Sequence, residues 1–260
     1  SGEILEQAVS EGFMYVMYRL HTDMFAGIPG KLFMGLMGIL FVISIVSGIV
    51  LYGPIMKKYD FGMVRKHKKR LKWLDTHNFL GIVLVGWMLV VGLTGVINAM
   101  ADLVIGYWQQ DQLAEMTLPY KDSPQLSQPY SSLDDALKVA TEKVPDWRVS
   151  FVAYPGTDYS SNHHYAVFMV GNSELTERIY TPVLIDAKNG SFTDFREMPW
   201  YAKTLFVSEP LHFGDYGGLP LKVIWAVFDI FSIIILVTGL YLWWQRRKTK
   251  VVFKPKKYLE

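Results

Sequence analysis

The sequence predicts a membrane α-helical bundle that carries an exported α+β domain inserted between its last two spans. Three observations predict it. Apolar stretches at 32–52, 79–100 and 221–244 are each long enough to cross a hydrocarbon core of roughly 30 Å at about 1.5 Å per residue. The charges are segregated: 55–73 holds eight Lys or Arg against one acid, the tail after Gln245 seven against one, and 101–220 sixteen acids against eight bases. The acidic region also alternates helix and strand patterns in the manner of a folded domain. A composition of 51% hydrophobic and 15% aromatic residues suits spans joined to a modest soluble region.

Residues 1–31 read as an exported amphipathic helix and turn. Leu5, Val9, Phe13, Val16, Met17 and Leu20 recur at helical spacing, with Glu3, Glu6 and Glu11 off the stripe. The i+4 series Val9, Phe13, Met17 continues onto His21, and Gly27-Ile28-Pro29-Gly30 breaks the helix. The first span occupies 32–54. Gly35, Gly38, Ser44, Ser47 and Gly48 give it small surfaces for close helix contact, and Gly53-Pro54 is expected to end it. The basic loop 55–76 leads to a second span at 77–101, which His77 enters. A third span at 221–245 ends in Trp243-Trp244-Gln245-Arg246-Arg247, before the basic tail 246–260. Each span carries a Ser/Thr-Gly pair, Ser47-Gly48, Thr94-Gly95 and Thr238-Gly239, which reads as a repeated packing device.

The excess of Lys and Arg places the 55–76 loop and the tail in the cytoplasm. Residues 1–31 and 102–220 then lie on the far side, the periplasm of a bacterial inner membrane. An exported N-terminal segment needs something to export it. The chain opens Ser-Gly, so an earlier hydrophobic segment is expected, making four spans in the intact protein.

Within the 102–220 region, Ser131/Ser132 followed by Asp134-Asp135 and an apolar stripe reads as a capped helix ending before Pro145. Strands are expected at 147–153, 165–170, 179–185 and 191–195, the last two joined by the turn at Asp186-Ala-Lys-Asn-Gly190.

The run "SSLDDALKVA", its following strands and "PVLIDAKNGSFTDF" resemble a PepSY domain at about 131–197. Together with "YRLHTDMFAGIPGKLFMGLMG", "WLDTHNFLG" and "EPLHFGDYGGLPLK", nearly the whole chain resembles the PepSY-associated transmembrane family. That family includes inner-membrane reductases of ferric siderophores and other iron-uptake accessory proteins. It opens with a further span bearing an L-H-x-x-x-G motif, which this sequence lacks.

With no cysteine among 260 residues, disulfides, thiolate metal sites and covalent haem attachment are excluded. Six histidines remain. His21 and His212 fall on the same side, each about ten residues before a span. Two readings stand: interfacial histidines satisfied by hydrogen bonds, or axial ligands of one b-type haem. The resemblance favours the second, because it implies haem-bearing members. His77, at the cytoplasmic boundary, either caps its helix or ligates a second haem whose other ligand lies outside this chain. His67 in a basic cluster reads as solvated, and His163-His164 as surface residues. Trp87 and Trp225 suit core packing or an electron path. Arg19, Lys31 and Lys222 suit snorkelling or propionate pairing, and Asp229, inside the third span, suits proton movement, cation binding or a structural hydrogen bond from Trp, Ser or Asn98.

No phosphate loop, dinucleotide fingerprint or nucleophilic triad is present, and topology accounts for the basic loops without nucleic acid. The expected function is a di-haem b transmembrane electron-transfer protein. It would act as a haem-dependent reductase of ferric iron or a ferric siderophore, supplied by a cytoplasmic or quinol donor. The alternative is a non-redox, membrane-anchored binding or regulatory protein, or an accessory subunit of an iron transporter.

Overall fold

Two helical stretches, Ile28–Ile55 and Asp215–Arg247, are long and apolar enough to cross a membrane, and one pair of bent helices, Lys69–Val83 with Val85–Ala99, passes that test only together. These stretches leave apolar side chains uncovered by protein: Leu51 is 69% exposed and Leu240 65%. Surfaces of that kind need lipid. With the four-stranded sheet described below, they make this a membrane protein with an α+β domain. The computed structural model describes residues 10–65, 67–124, 126–128 and 130–248. Leu5 and Val9 of the amphipathic stripe, and residues 249–260 of the basic tail, lie outside them.

The chain divides into two compact units. The first holds residues 1–40 and 91–216. Its α1 (Phe13–Thr22) carries His21 in the last turn. The following turn puts Met24 and Phe25 at φ 52° and 60°, a conformation costing about 1–3 kcal/mol for side-chain-bearing residues. A clasp offsets this. The Arg19 guanidinium donates two bonds to the Asp23 carboxylate at 2.9 and 2.8 Å, and the Phe25 amide donates to the same group. Gly30 lets the chain pass: a β-carbon there would sit 1.7 Å from the Asp23 carbonyl oxygen.

Helix α2 (Ile28–Met56) begins four residues before the expected 32. Pro29 lies in its first turn, where no N–H is required. Pro54 was expected to end the span but lies within the last turn, where a missing N–H removes only one closing bond. Gly35 and Gly38 of α2 pack against α4 (Val85–Ala99). A β-carbon on Gly38 would come within 2.8 Å of Val96 Cγ2, and one on Gly35 within 3.3 Å of Ala99 Cβ. After Met100 the chain continues as α5 (Ala101–Trp108), a π-helical turn (Gln109–Leu113) and α6 (Ala114–Met116).

Helix α7 (Leu133–Lys143) starts at Ser132, whose hydroxyl accepts from the Asp135 amide. The strands β1 (Arg148–Ala153), β2 (His164–Val170), β3 (Thr181–Asp186) and β4 (Phe192–Phe195) form an antiparallel meander in that order. The two-residue strand period divides the core. Tyr165, Val167 and Met169 of β2 face Ala136 and Ala140 of α7. Ala166 and Phe168 face Trp108, Leu113 and Met116, with Met198 and Ala202. Ala202 belongs to α8 (Trp200–Phe213), which ends at Gly214 in the left-handed conformation. Both faces of the sheet are therefore covered, and β2 and β3 are buried along their whole length.

The second unit holds residues 41–90 and 217–260. Within it α3 (Lys69–Val83) packs on α9 (Gly218–Lys248). The stretch read as one span at 77–101 is two helices, α3 and α4, bent by 68° at Leu84. No proline lies at the bend. Leu84 takes φ −95° and ψ 0° between Gly81 and Gly86, and both flanking i→i−4 bonds are kept. The preceding loop is pinned by Arg65, whose guanidinium and amide all donate to Asp75. Leu84, Met88 and Ile235 form the small core, with Trp87 edge-on to Trp225 and Phe228.

Candidate functional site

The first unit brings two of the sequence-singled histidines together. The rings of His21, from α1, and His212, from α8, have centroids 6.2 Å apart and planes inclined by 25°. Nδ1 of His212 lies 3.0 Å from the Val91 carbonyl oxygen and 3.2 Å from the Thr94 hydroxyl. A carbonyl only accepts, so Nδ1 carries a proton, and in the neutral ring Nε2 then keeps the lone pair. Gly95 makes room: a β-carbon there would lie 3.1 Å from His212 Cε1.

The turn that follows His21 is braced by charge. Hydrogen bonds from Arg19, and then from the Phe25 amide, hold the Asp23 carboxyl below the usual carboxylate range. The same pair, with Tyr15, raises Arg19. Lys31 is committed to Asp102 at 2.7 Å. Arg19 and Lys31, both considered for propionates, therefore already have carboxylate partners. Asn98 accepts a hydrogen bond from Ser208 of α8.

In the second unit His77, from α3, lines a cavity of about 420 Å³ with Ser44, Gly48, Gly81, Met88 and Gly239. Its Nδ1 lies 3.0 Å from the Ile235 carbonyl oxygen and 3.0 Å from the Thr238 hydroxyl. A β-carbon on Gly239 would lie 3.3 Å from His77 Cε1. No other histidine lines this cavity among the described residues.

The remaining histidines stand apart. His67 is exposed. His164 corrects the surface reading: it is fully buried, because β2 is covered on both faces. Its Nδ1 meets the Ser161 hydroxyl at 2.6 Å, and its ring sits edge-on to Tyr120. Burial pushes its pKa down to about 4. Among the described residues, no group of three or more His, Asp or Glu side chains could hold a bare metal ion.

Sequence reasoning missed Thr94 and Thr238 as histidine partners. The signal was visible as the Ser/Thr-Gly pairs, but the helix that fills each notch cannot be read from a pair alone.

Fold and sites together define a helical membrane protein in which an α+β domain shares its unit with a paired-histidine site. The chain belongs to the family described as the PepSY-associated TM region, whose model matches residues 1–246. It is similar to a Pseudomonas aeruginosa protein named only as uncharacterised, 22% identical over 258 residues. That match covers 89% of this chain and 63% of the relative, so the chain spans about two-thirds or less of the curated relative's length.

Proposed function

We propose that this protein is a haem b electron-transfer protein of a bacterial inner membrane, reducing a ferric substrate on the periplasmic side. The observation that carries the reading is the His21/His212 pair, with Nδ1 of His212 tied to a carbonyl. The two rings lie close, with centroids 6.2 Å apart, so one iron-bearing group could draw on both imidazoles. Among the described residues no third His, Asp or Glu joins them in a metal-holding group, and a haem needs only two ligands from the protein. His21 and His212 would be its axial ligands. His77, whose Nδ1 is bound and which lines a largely apolar cavity, would hold a second haem, with the other ligand coming from outside the described residues.

Bound haem supplies one-electron redox chemistry, and two imidazole ligands suit electron transfer over oxygen binding. The protein's share is to hold the imidazoles and to fix the tautomer of His212 and His77 through the acceptors at Nδ1. The basic loop 55–76 and the tail favour the cytoplasm, and 102–220 the periplasm. Electrons would come from a cytoplasmic or quinol donor. The acceptor would be ferric iron or a ferric siderophore, since Fe²⁺ is the softer, less charged ion and leaves hard oxygen donors more readily.

The test is a visible spectrum of the purified full chain, oxidised and then dithionite-reduced, with haem-to-protein ratios for wild type and His21→Ala. A sharp reduced α-band that His21→Ala diminishes is expected. A colourless protein made with ample haem supply would end this reading and favour a non-redox binding or regulatory protein anchored in the membrane.

A further inference from the structure

We infer that Thr94-Gly95 and Thr238-Gly239 are two copies of one imidazole seat, and that the threonine hydroxyl in each is a positioning group for the histidine it receives. In each copy a helix presents a carbonyl at one position, a threonine three residues on and a glycine four residues on: Val91, Thr94, Gly95 and Ile235, Thr238, Gly239. In each, one ring nitrogen, Nδ1, meets both oxygens. The distances are 3.0 and 3.2 Å for His212, and 3.0 and 3.0 Å for His77. In each, Cε1 rests against the glycine, where a β-carbon would be 3.1 or 3.3 Å away.

Packing alone accounts for the glycines but not for the oxygens. Each threonine hydroxyl also lies near its own seat carbonyl, at 3.3 Å for Val91 and 2.8 Å for Ile235. With its proton given there, the hydroxyl turns lone pairs toward Nδ1. The ring N–H then has two acceptors, and Nε2 cannot hold the proton without losing both. The seats lie in different compact units, and their histidines are 118 and 161 residues from the threonines they meet. The repetition therefore reflects a shared requirement, not local chain geometry. An acceptor behind a ligating imidazole fixes its orientation and makes it a stronger donor.

The tautomer follows from geometry alone. The effect on a metal rests on the haem reading above, and the two are tested separately. First, the full chain, labelled with ¹⁵N-histidine and embedded in lipid nanodiscs without haem, is read by solid-state NMR. His77 and His212 should be protonated at Nδ1 and bare at Nε2, and Thr238→Val should move only the His77 signals. Nε2–H tautomers at these two sites would overturn the inference, whether or not the chain binds haem. Second, in haem-loaded protein, Thr94→Val should keep the haem of the His21/His212 site but shift its midpoint potential to a more positive value. Thr94→Ser should restore it. An unchanged potential in Thr94→Val with haem retained would remove the hydroxyl's role. If Thr94→Val does not fold, Thr94→Ala is read in its place. Absence of haem from the wild type would overturn the electron-transfer reading and leave the tautomer result standing.

Discussion

His21 and His212 come from opposite ends of the chain, yet their ring centroids lie 6.2 Å apart. Side chains that act on one ligand are not additive. Under the haem reading, His21→Ala and His212→Ala each remove the same haem, and the double substitution removes no more. Haem-to-protein ratios across the three variants check this. A double variant that loses clearly more haem than either single one would assign the residues to separate sites.

The turn after His21 depends on the Arg19–Asp23 clasp. Asp23→Asn removes a charged acceptor from Arg19 and one reason for Met24 and Phe25 to stay at positive φ. Under the haem reading, the expected result is lower haem retention at that site with the α+β domain intact, read by absorbance and by protease resistance of the domain. The Asp23 carboxyl is depressed, so its contribution is present above the ordinary carboxylate pKa of about 3.9. It is lost as pH falls further, through its folded value. The clasp should therefore hold unchanged from pH 8 to 5.

Gly38 and Val96 leave no room between α2 and α4. Gly38→Val forces overpacking of a kind that typically costs about 1–3 kcal/mol, and thermal unfolding in detergent should show a lower midpoint. Gly86→Ala, where a β-carbon meets nothing within 4 Å, is the control and should change little.

His164 is buried neutral, with its pKa near 4 against an ordinary value of 6.5. Between those values the unfolded chain binds a proton that the folded chain refuses. Stability is therefore unaffected above about pH 6.5 and falls as pH drops toward 4, by up to about 3 kcal/mol. Hydrogen exchange of β2 amides in the full chain, corrected for intrinsic rates, should show more opening at pH 5 than at pH 7. His164→Gln should flatten that dependence.

Much of this architecture was legible from residue patterns. Uncharged length marked α2, the α3–α4 stretch and α9. Ser132 with Asp134-Asp135 marked the start of α7, and β-branched alternation marked four strands to within about two residues. What escaped depends on contacts distant in sequence. The bend at Leu84 has no proline to announce it, and hydropathy does not register direction. His164 reads as a loop polar residue until both sheet faces are seen to be covered. Thr94 and Thr238 announce close packing, but which side chain fills the notch depends on helices more than a hundred residues away.

The sheet is complete at Phe195, yet one of its faces is finished by Met198 and Ala202, which follow it, and by Trp108, Leu113 and Met116, which precede α7. During synthesis at about 5–20 residues per second, Phe168 and Leu184 therefore wait roughly one to several seconds for α8 to emerge and close over them. A fragment cut at residues 131 and 197 would wait indefinitely. Its boundaries in sequence are not its boundaries in folding: the smallest piece able to hide its own apolar surface begins near α5 and ends with α8, on the helix that carries His212.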